Sequence, residues 1–178
     1  DGCSDIDQKF NNDFDQDNCL QVPESLIQKE FSRIMSLKYG SKKMSKSELS
    51  DLSRINLTYD RDAIVNKIKK AKTDPLPMLS NVEELNERLE ARNLLGIYSS
   101  LNNSTLQNTV ENFSGKNFSE FKNHLSDLLV KKIEPISLEI KKLLNDQPYL
   151  DKILLEGVEK ANSIASKKID RIKEILGF

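Results

Sequence analysis

The sequence predicts a mainly α-helical protein, and three observations carry that expectation. From Thr58 onward, apolar residues recur at helical spacing with charged residues between them. Only two short runs, residues 20–23 (Leu-Gln-Val-Pro) and 34–37 (Ile-Met-Ser-Leu), have the apolar character of strands. Residues 40–56 are rich in Ser and Lys and read as loop.

The elements follow in order. Residues 1–18 are crowded with Asp and Asn and show no sustained periodicity, with Phe10 and Phe14 as their only aromatic anchors. The run 20–23 is a short strand stopped by Pro23, and 34–37 is a second one. Both would belong to a larger sheet whose other members are not in this sequence. Thr58 or Asp60 caps a helix carrying Ile64, Val65, Ile68 and Ala71, closed by Asp74-Pro75. Ser80 and Glu83 form a capping box, and the helix behind it carries Val82, Leu85 and Leu89, then Leu94 and Leu95. Phe118, Phe121, Leu125, Leu128 and Leu129 share one face before Pro135 kinks or ends the run, and Ile136, Ile140, Leu143 and Leu144 follow. The last helix has the longest stripe, from Leu150 through Ile153, Leu154, Val158, Ala161, Ile164, Ala165, Ile169 and Ile172 to Leu176, with charges opposite. Residues 58–178 are therefore expected to form an antiparallel helical bundle.

The 178 residues suffice for one domain with a real core. A net charge of −1 gives no global field toward nucleic acid or membrane, so contact with a polyanion must come from a local basic patch. Hydrophobic content of 37% with 31% charged residues fits a helix-rich chain with much solvated surface. No stretch is long or apolar enough to span a bilayer, and residues 1–30 show no signal-peptide pattern. Cys3 and Cys19 have no metal-ligand spacing and do not make a disulfide framework. Reduced thiols in a cytoplasm or mitochondrial matrix are the expectation.

The strongest chemical signal is Lys42-Lys43-Met44-Ser45-Lys46-Ser47, which follows Gly40-Ser41. Lys43 and Lys46 are compact, strongly hydrated charges on flexible stems, and Ser45, Ser47 and the local N–H groups add donors without bulk. Such a loop suits a reaction in which negative charge builds on a departing pyrophosphate. Its wording is similar to the second signature of the class I aminoacyl-tRNA synthetases, Lys-Met-Ser-Lys-Ser. Ser32-Arg33-Ile34-Met35-Ser36-Leu37 stands upstream, and Ser53-Arg54-Ile55-Asn56-Leu57-Thr58 and Asp62-Ala63-Ile64 stand downstream. Then come Lys67-Ile68-Lys69-Lys70-Ala71-Lys72-Thr73-Asp74 and Asn93-Leu94-Leu95-Gly96-Ile97-Tyr98. In this order and spacing the chain resembles the bacterial and organellar tryptophanyl-tRNA synthetases, over nearly its whole length and most specifically over 32–74.

That resemblance implies the end of a Rossmann-type catalytic domain over residues 1–57 and a helical tRNA (anticodon)-binding domain over 58–178. It implies the joining of tryptophan to ATP, with Mg2+, and transfer of the tryptophanyl group to tryptophan tRNA. Lys43 and Lys46 would be the catalytic pair, stabilising the triphosphate as pyrophosphate leaves. Ile34 and Met44, through their backbone groups, with Lys43, Ser45, Lys46 and Ser47, would hold ATP. The family's first signature, His-Ile-Gly-His or a variant, is missing, since the one histidine is His124 in Lys122-Asn123-His124-Leu125. The chain therefore matches a C-terminal half. The tryptophan pocket and the surface of the family's homodimer are absent, and no catalysis is expected from it alone. The sequence departs from its relatives at Glu48-Leu49, where they carry Asp-Pro, at Tyr39-Gly40, at Tyr59, and at Leu79 and Leu89, where prolines are common. Leu89 would let a helix continue where a proline would begin or bend one.

A different class of reading is a non-catalytic helical module that binds tRNA or a protein. Asp13, Asp15, Asp17 and Glu24 have partial calcium-loop spacing, but Asn18 stands where the turn wants glycine and Pro23 precedes Glu24. The basic cluster Lys67, Lys69, Lys70 and Lys72 reads first as a solvated helix face and second as a phosphate contact, and Lys167, Lys168 and Arg171 read alike. His124 reads as a helix-surface or core-edge residue.

Overall fold

The computed structural model describes residues 2–14, 20–26 and 31–178. Six α-helices appear among them: α1 (Gly2–Asp13), α2 (Arg61–Lys70), α3 (Leu89–Leu101), α4 (Leu106–Phe113), α5 (Phe118–Asn145) and α6 (Gln147–Leu176). Two 3-10 turns, Asp51–Ser53 and Glu83–Asn86, lie between them. The mainly helical expectation holds, and no strand forms among the described residues. The chain divides into two compact units, residues 28–145 and residues 1–27 with 146–178.

In the 28–145 unit α2 packs along α5, while α3 meets α4, α5 and the 83–86 turn. Ile64 and Ile68 of α2, Leu94 and Leu95 of α3, and Phe121 and Leu125 of α5 are essentially sealed from solvent. Burying such side chains stabilises by roughly 1.5–3 kcal/mol each relative to leaving them exposed. Phe113 lies edge-on to Phe121 at 4.9 Å and to Tyr98 at 5.1 Å, joining α3, α4 and α5 through aromatic contacts.

Local chemistry explains the boundaries. Asp60 caps α2, its carboxylate accepting the Ala63 N–H at 2.9 Å, as the sequence suggested. At the other end of α2, the Lys122 ammonium donates to the Ala71 carbonyl at 2.7 Å and the Lys69 carbonyl at 3.3 Å. Burial there pushes the Lys122 pKa down. The Ser80/Glu83 capping box does not form. Asn81 instead accepts the Glu84 N–H at 3.1 Å, and residues 83–86 make only a 3-10 turn. The helix expected from Val82 is thus broken, and α3 starts afresh at Leu89. Pro135 does not end α5, which runs through it. A single proline removes one N–H, and the buried first half of the helix supplies the anchoring.

Residues 1–18 show no sustained periodicity in sequence, yet Gly2–Asp13 forms α1, with the Phe10 and Phe14 rings 4.9 Å apart at its end. The two predicted strands are corrected as well. Each is met by an asparagine side chain rather than a sheet. Asn11 donates to the Leu20 carbonyl at 2.8 Å and accepts the Leu20 N–H at 2.9 Å. Asn93 does the same for Met35, at 2.8 and 2.9 Å. A primary amide reproduces the donor and acceptor of a neighbouring peptide group, so one side chain stands in for a ladder partner. Within the 28–145 unit α2 to α5 pack on one another, while α6, in the other unit, has no buried residue. Asp146 caps α6 through the Tyr149 N–H at 3.1 Å, and Gly177 closes it in the left-handed conformation.

Candidate functional site

The lysine loop grows from a tight antiparallel hairpin. The Ser36 N–H donates to the Lys42 carbonyl at 2.7 Å, and the Met44 N–H donates to the Ile34 carbonyl at 3.0 Å. The turn between them is closed by the Lys42 N–H on the Tyr39 carbonyl at 3.0 Å, and Met35 and Lys43 form a single bridge. Gly40 sits in this turn because nothing larger fits: an added Cβ would lie 2.7 Å from the Glu90 nitrogen and the Leu89 carbonyl carbon of α3. Burial would push the Glu90 carboxyl up, but the Lys72 ammonium at 3.0 Å and the Gly40 N–H outweigh it and hold the carboxyl below its ordinary value.

Ile34 and Met44 turn their side chains onto the hydrophobic core, which anchors both limbs of the hairpin. Their mutual hydrogen bond occupies the Met44 N–H, leaving the Ile34 N–H and the Met44 carbonyl without backbone partners among the described residues. Beyond Met44 the Ser45 and Ser47 hydroxyls lie 3.0 Å apart, and the Ser47 N–H donates to the Ser45 hydroxyl at 3.3 Å. Lys43 and Lys46 are exposed, and neither has a hydrogen bond or ion pair among the described residues. Two ammonium groups thus stand free on a loop whose stem is hydrogen-bonded.

The return limb is held just as firmly. The Arg54 guanidinium donates to the Glu48 carbonyl at 2.8 Å and pairs with Asp51 at 3.3 Å, and the Leu37 N–H donates to the Ser53 carbonyl at 2.9 Å. Lys67, expected on a solvated face with Lys69, Lys70 and Lys72, is instead buried beneath this limb. Its ammonium meets the Asp51 carboxylate at 2.6 Å, the Tyr59 hydroxyl at 2.9 Å, the Arg54 carbonyl at 3.1 Å and the Asp51 carbonyl. These hydrogen bonds from Lys67, and a further one from Tyr59, hold the Asp51 carboxyl below the usual carboxylate range. Lys69 and Lys70 are exposed, as expected. The signal that separates Lys67 from its neighbours lies in the apolar periodicity of α2, which places it beside Ile64 and Ile68.

The departures from the family wording have structural positions. Tyr59 receives Asn56 and Lys67 at its hydroxyl and donates to Asp51, so it belongs to the anchor. Leu79 is core. Leu89 does not continue a helix but is the first residue of α3, the position where proline is also tolerated. His124 is exposed, with its ring 5.6 Å from that of Phe113. Of the calcium-loop residues, Asp15 and Asp17 lie outside the described residues, as does Cys19, and no cluster of metal-ligating side chains occurs among those described. Among the described helices none is long and apolar enough to cross a membrane.

A separate cavity of about 630 Å³ is lined by Phe31, Arg33, Met35, Leu89, Arg92 and Gln107 among others, and Lys43 and Lys46 do not border it. Phe31 adopts a left-handed backbone at φ 54°, and its ring covers Gly96, where a Cβ would come within 1.8 Å of it.

The profile of the tRNA synthetases class I (W and Y) matches residues 3–134. A tryptophan–tRNA ligase of Caulobacter vibrioides is 44% identical over 98% of this chain and 51% of its own length. The ligase of Agrobacterium fabrum is 49% identical over 87% of this chain and 44% of its own. The chain thus spans about half the length of the curated relatives it matches. Its fold is similar to that of the tryptophanyl-tRNA synthetase of Mycoplasma pneumoniae, with a TM-score of 0.79 and 23% identity, covering 98% of this chain and 51% of that one. It is also similar to the Campylobacter jejuni enzyme complexed with ADP and tryptophan, with a TM-score of 0.65 and 22% identity over 98% of this chain and 52% of that one. With the lysine loop intact and the family profile covering most of its residues, the chain belongs to the class I tRNA synthetases of the tryptophan and tyrosine group.

Proposed function

We propose that this chain is the C-terminal part of a tryptophan–tRNA ligase, carrying the lysine-loop half of the ATP site and the helical portion that meets tryptophan tRNA. The observation that carries this reading is the pair Lys43 and Lys46, exposed and without partners among the described residues, on a loop pinned at both limbs. When ATP, as its Mg2+ complex, sits against the loop, the two ammonium groups oppose charge building on the departing pyrophosphate. The Ser45 and Ser47 hydroxyls, the Ile34 N–H and the Met44 carbonyl are the remaining polar groups within reach. The 40–49% identity of the tryptophan–tRNA ligases supports tryptophan as the amino acid.

Residues 1–57 would then close a Rossmann-type catalytic domain and 58–178 would serve the tRNA. Gln21 and Val22, which have no backbone hydrogen bonds among the described residues, are the segment open to a further strand. The amino-acid pocket, the first ATP signature and the homodimer surface belong to the part of the family that this chain does not cover. The test is tryptophan-dependent ATP–pyrophosphate exchange. The 178-residue chain alone should show none, and exchange should appear when the N-terminal half of the Caulobacter ligase is supplied. Lys43→Ala and Lys46→Ala should each lower the complemented rate by roughly 10²-fold, in line with the loss of one preorganised charge-stabilising donor. Exchange by the chain alone, or a complemented rate indifferent to both lysines, would overturn the reading.

A further inference from the structure

We propose that Lys67 is a positioning residue for the lysine loop, a role that rests on reading this loop as the polyphosphate site. An ammonium group removed from water is costly unless its donors are met, and the Lys67 side chain is only 6% exposed. Its three donors meet four acceptors, none of them in α2 and all of them between Asp51 and Tyr59. The ammonium also lies 4.1 Å from the centre of the Tyr59 ring. The stem of Lys67 leaves α2 between Ile64 and Ile68, both 0% exposed and packed in the α2–α5 core.

The consequence is a rigid connection from the core to the loop. Lys67 fixes Asp51 and the Arg54 carbonyl, and Arg54 in turn holds the Glu48 carbonyl. Glu48 is two residues from Lys46. Ser53, inside the same limb, receives the Leu37 N–H and ties the return limb to the hairpin that carries Lys43. The only regular structure in this limb is the three-residue turn Asp51–Ser53, so the side-chain pin supplies what a longer helix would supply elsewhere. Lys69 and Lys70, two and three residues further and exposed, have no such side-chain connection among the described residues.

The experiment compares the full 178-residue chain with Lys67→Met, Asp51→Asn and Leu129→Ala, the last weakening the α5 core away from the loop. Hydrogen exchange would follow the amides of Leu37, Met44, Ser47 and Ser53, and titration with inorganic tripolyphosphate would read the loop lysines. Lys67→Met should lower protection of these amides by about tenfold or more, since a local opening then no longer breaks the pin. It should weaken tripolyphosphate binding about three- to tenfold, Asp51→Asn should do so by less, and Leu129→Ala should leave the affinity of the folded chain unchanged. Unchanged protection in Lys67→Met overturns the proposal. If that variant does not fold, unchanged protection in Asp51→Asn overturns it. Equal loss of affinity in Leu129→Ala also overturns it, because the effect would then be general destabilisation. Failure of the unaltered chain to bind tripolyphosphate refutes the polyphosphate reading instead, and the exchange comparison still decides whether Lys67 orders the limb.

Discussion

The first half of α5 and the whole of α6 carry apolar residues at the same helical spacing, yet their surroundings are opposite. Phe121 and Leu125 are completely buried and Leu129, Val130 and Ile133 nearly so, whereas α6 has no buried residue along its 30-residue length. Leu154, Val158 and Ile164 of α6 are all more than half exposed. One polar pair from each region shows the same contrast. In the 28–145 unit Arg88 grips Asp74 with two hydrogen bonds of 2.9 and 2.6 Å, while in α6 the Lys152–Glu156 pair spans 4.0 Å between exposed side chains. Periodicity therefore reports which face of a helix is apolar; what covers that face is a property of the rest of the fold.

Phe121→Ala should show the largest effect, because the ring is enclosed by Tyr98 and Phe113 and would leave a cavity. A loss of about 3–5 kcal/mol in denaturant unfolding is expected. A loss below 1 kcal/mol would break the contrast, since α5 would then be no better packed than α6.

Asp74→Asn should come next, at about 1 kcal/mol near neutral pH, the value being modest because the pair is partly exposed. Burial pushes the Asp74 carboxyl up, but Arg88 and the Leu76 N–H outweigh it, so the carboxyl sits below its ordinary value of 3.8. A carboxyl depressed in the folded state contributes stability above its unfolded pKa and loses it as pH falls through the folded one. The unaltered chain and the variant should therefore converge in acid, and a difference that persists at the lowest pH would show that charge is not the source.

Ile164→Ser should be the smallest, within about 0.5 kcal/mol of the unaltered chain. A larger cost in the isolated chain would mean that the α6 stripe is covered in solution, and the comparison with α5 would fall.

How far the sequence disclosed this architecture depends on the range of the interactions. The Asp60 cap, the α2 core face and the surface position of His124 were legible because each depends on residues within a turn or two. The lysine loop was legible as a motif, since free charges need no partner to be recognised. The buried position of Lys67 beside Ile64 and Ile68 follows from the α2 periodicity, but its partners were not legible, because its acceptors lie 8 to 16 residues upstream and converge only when the 51–59 limb folds back on α2. The strand readings failed for the same reason. Ile-Met-Ser-Leu has strand composition, but its partner at Met35 is the Asn93 side chain, 58 residues away. Ser80 and Glu83 had the spacing of a capping box, yet Ser80 turns to Ser114, 34 residues on, and Asn81 caps instead.

The Asn93 clamp also bears on solubility. Residues 34–37 are uncharged and of strand composition, and such a segment with a free ribbon edge can recruit other chains. Here the Met35 N–H and carbonyl are taken by Asn93, the Ser36 N–H by Lys42, and the Leu37 N–H and carbonyl by Ser53 and Lys72. No unpaired run of peptide groups is left for a second molecule to dock against. The hydrogen bonds that shape the stem of the lysine loop therefore also block intermolecular strand addition at this segment.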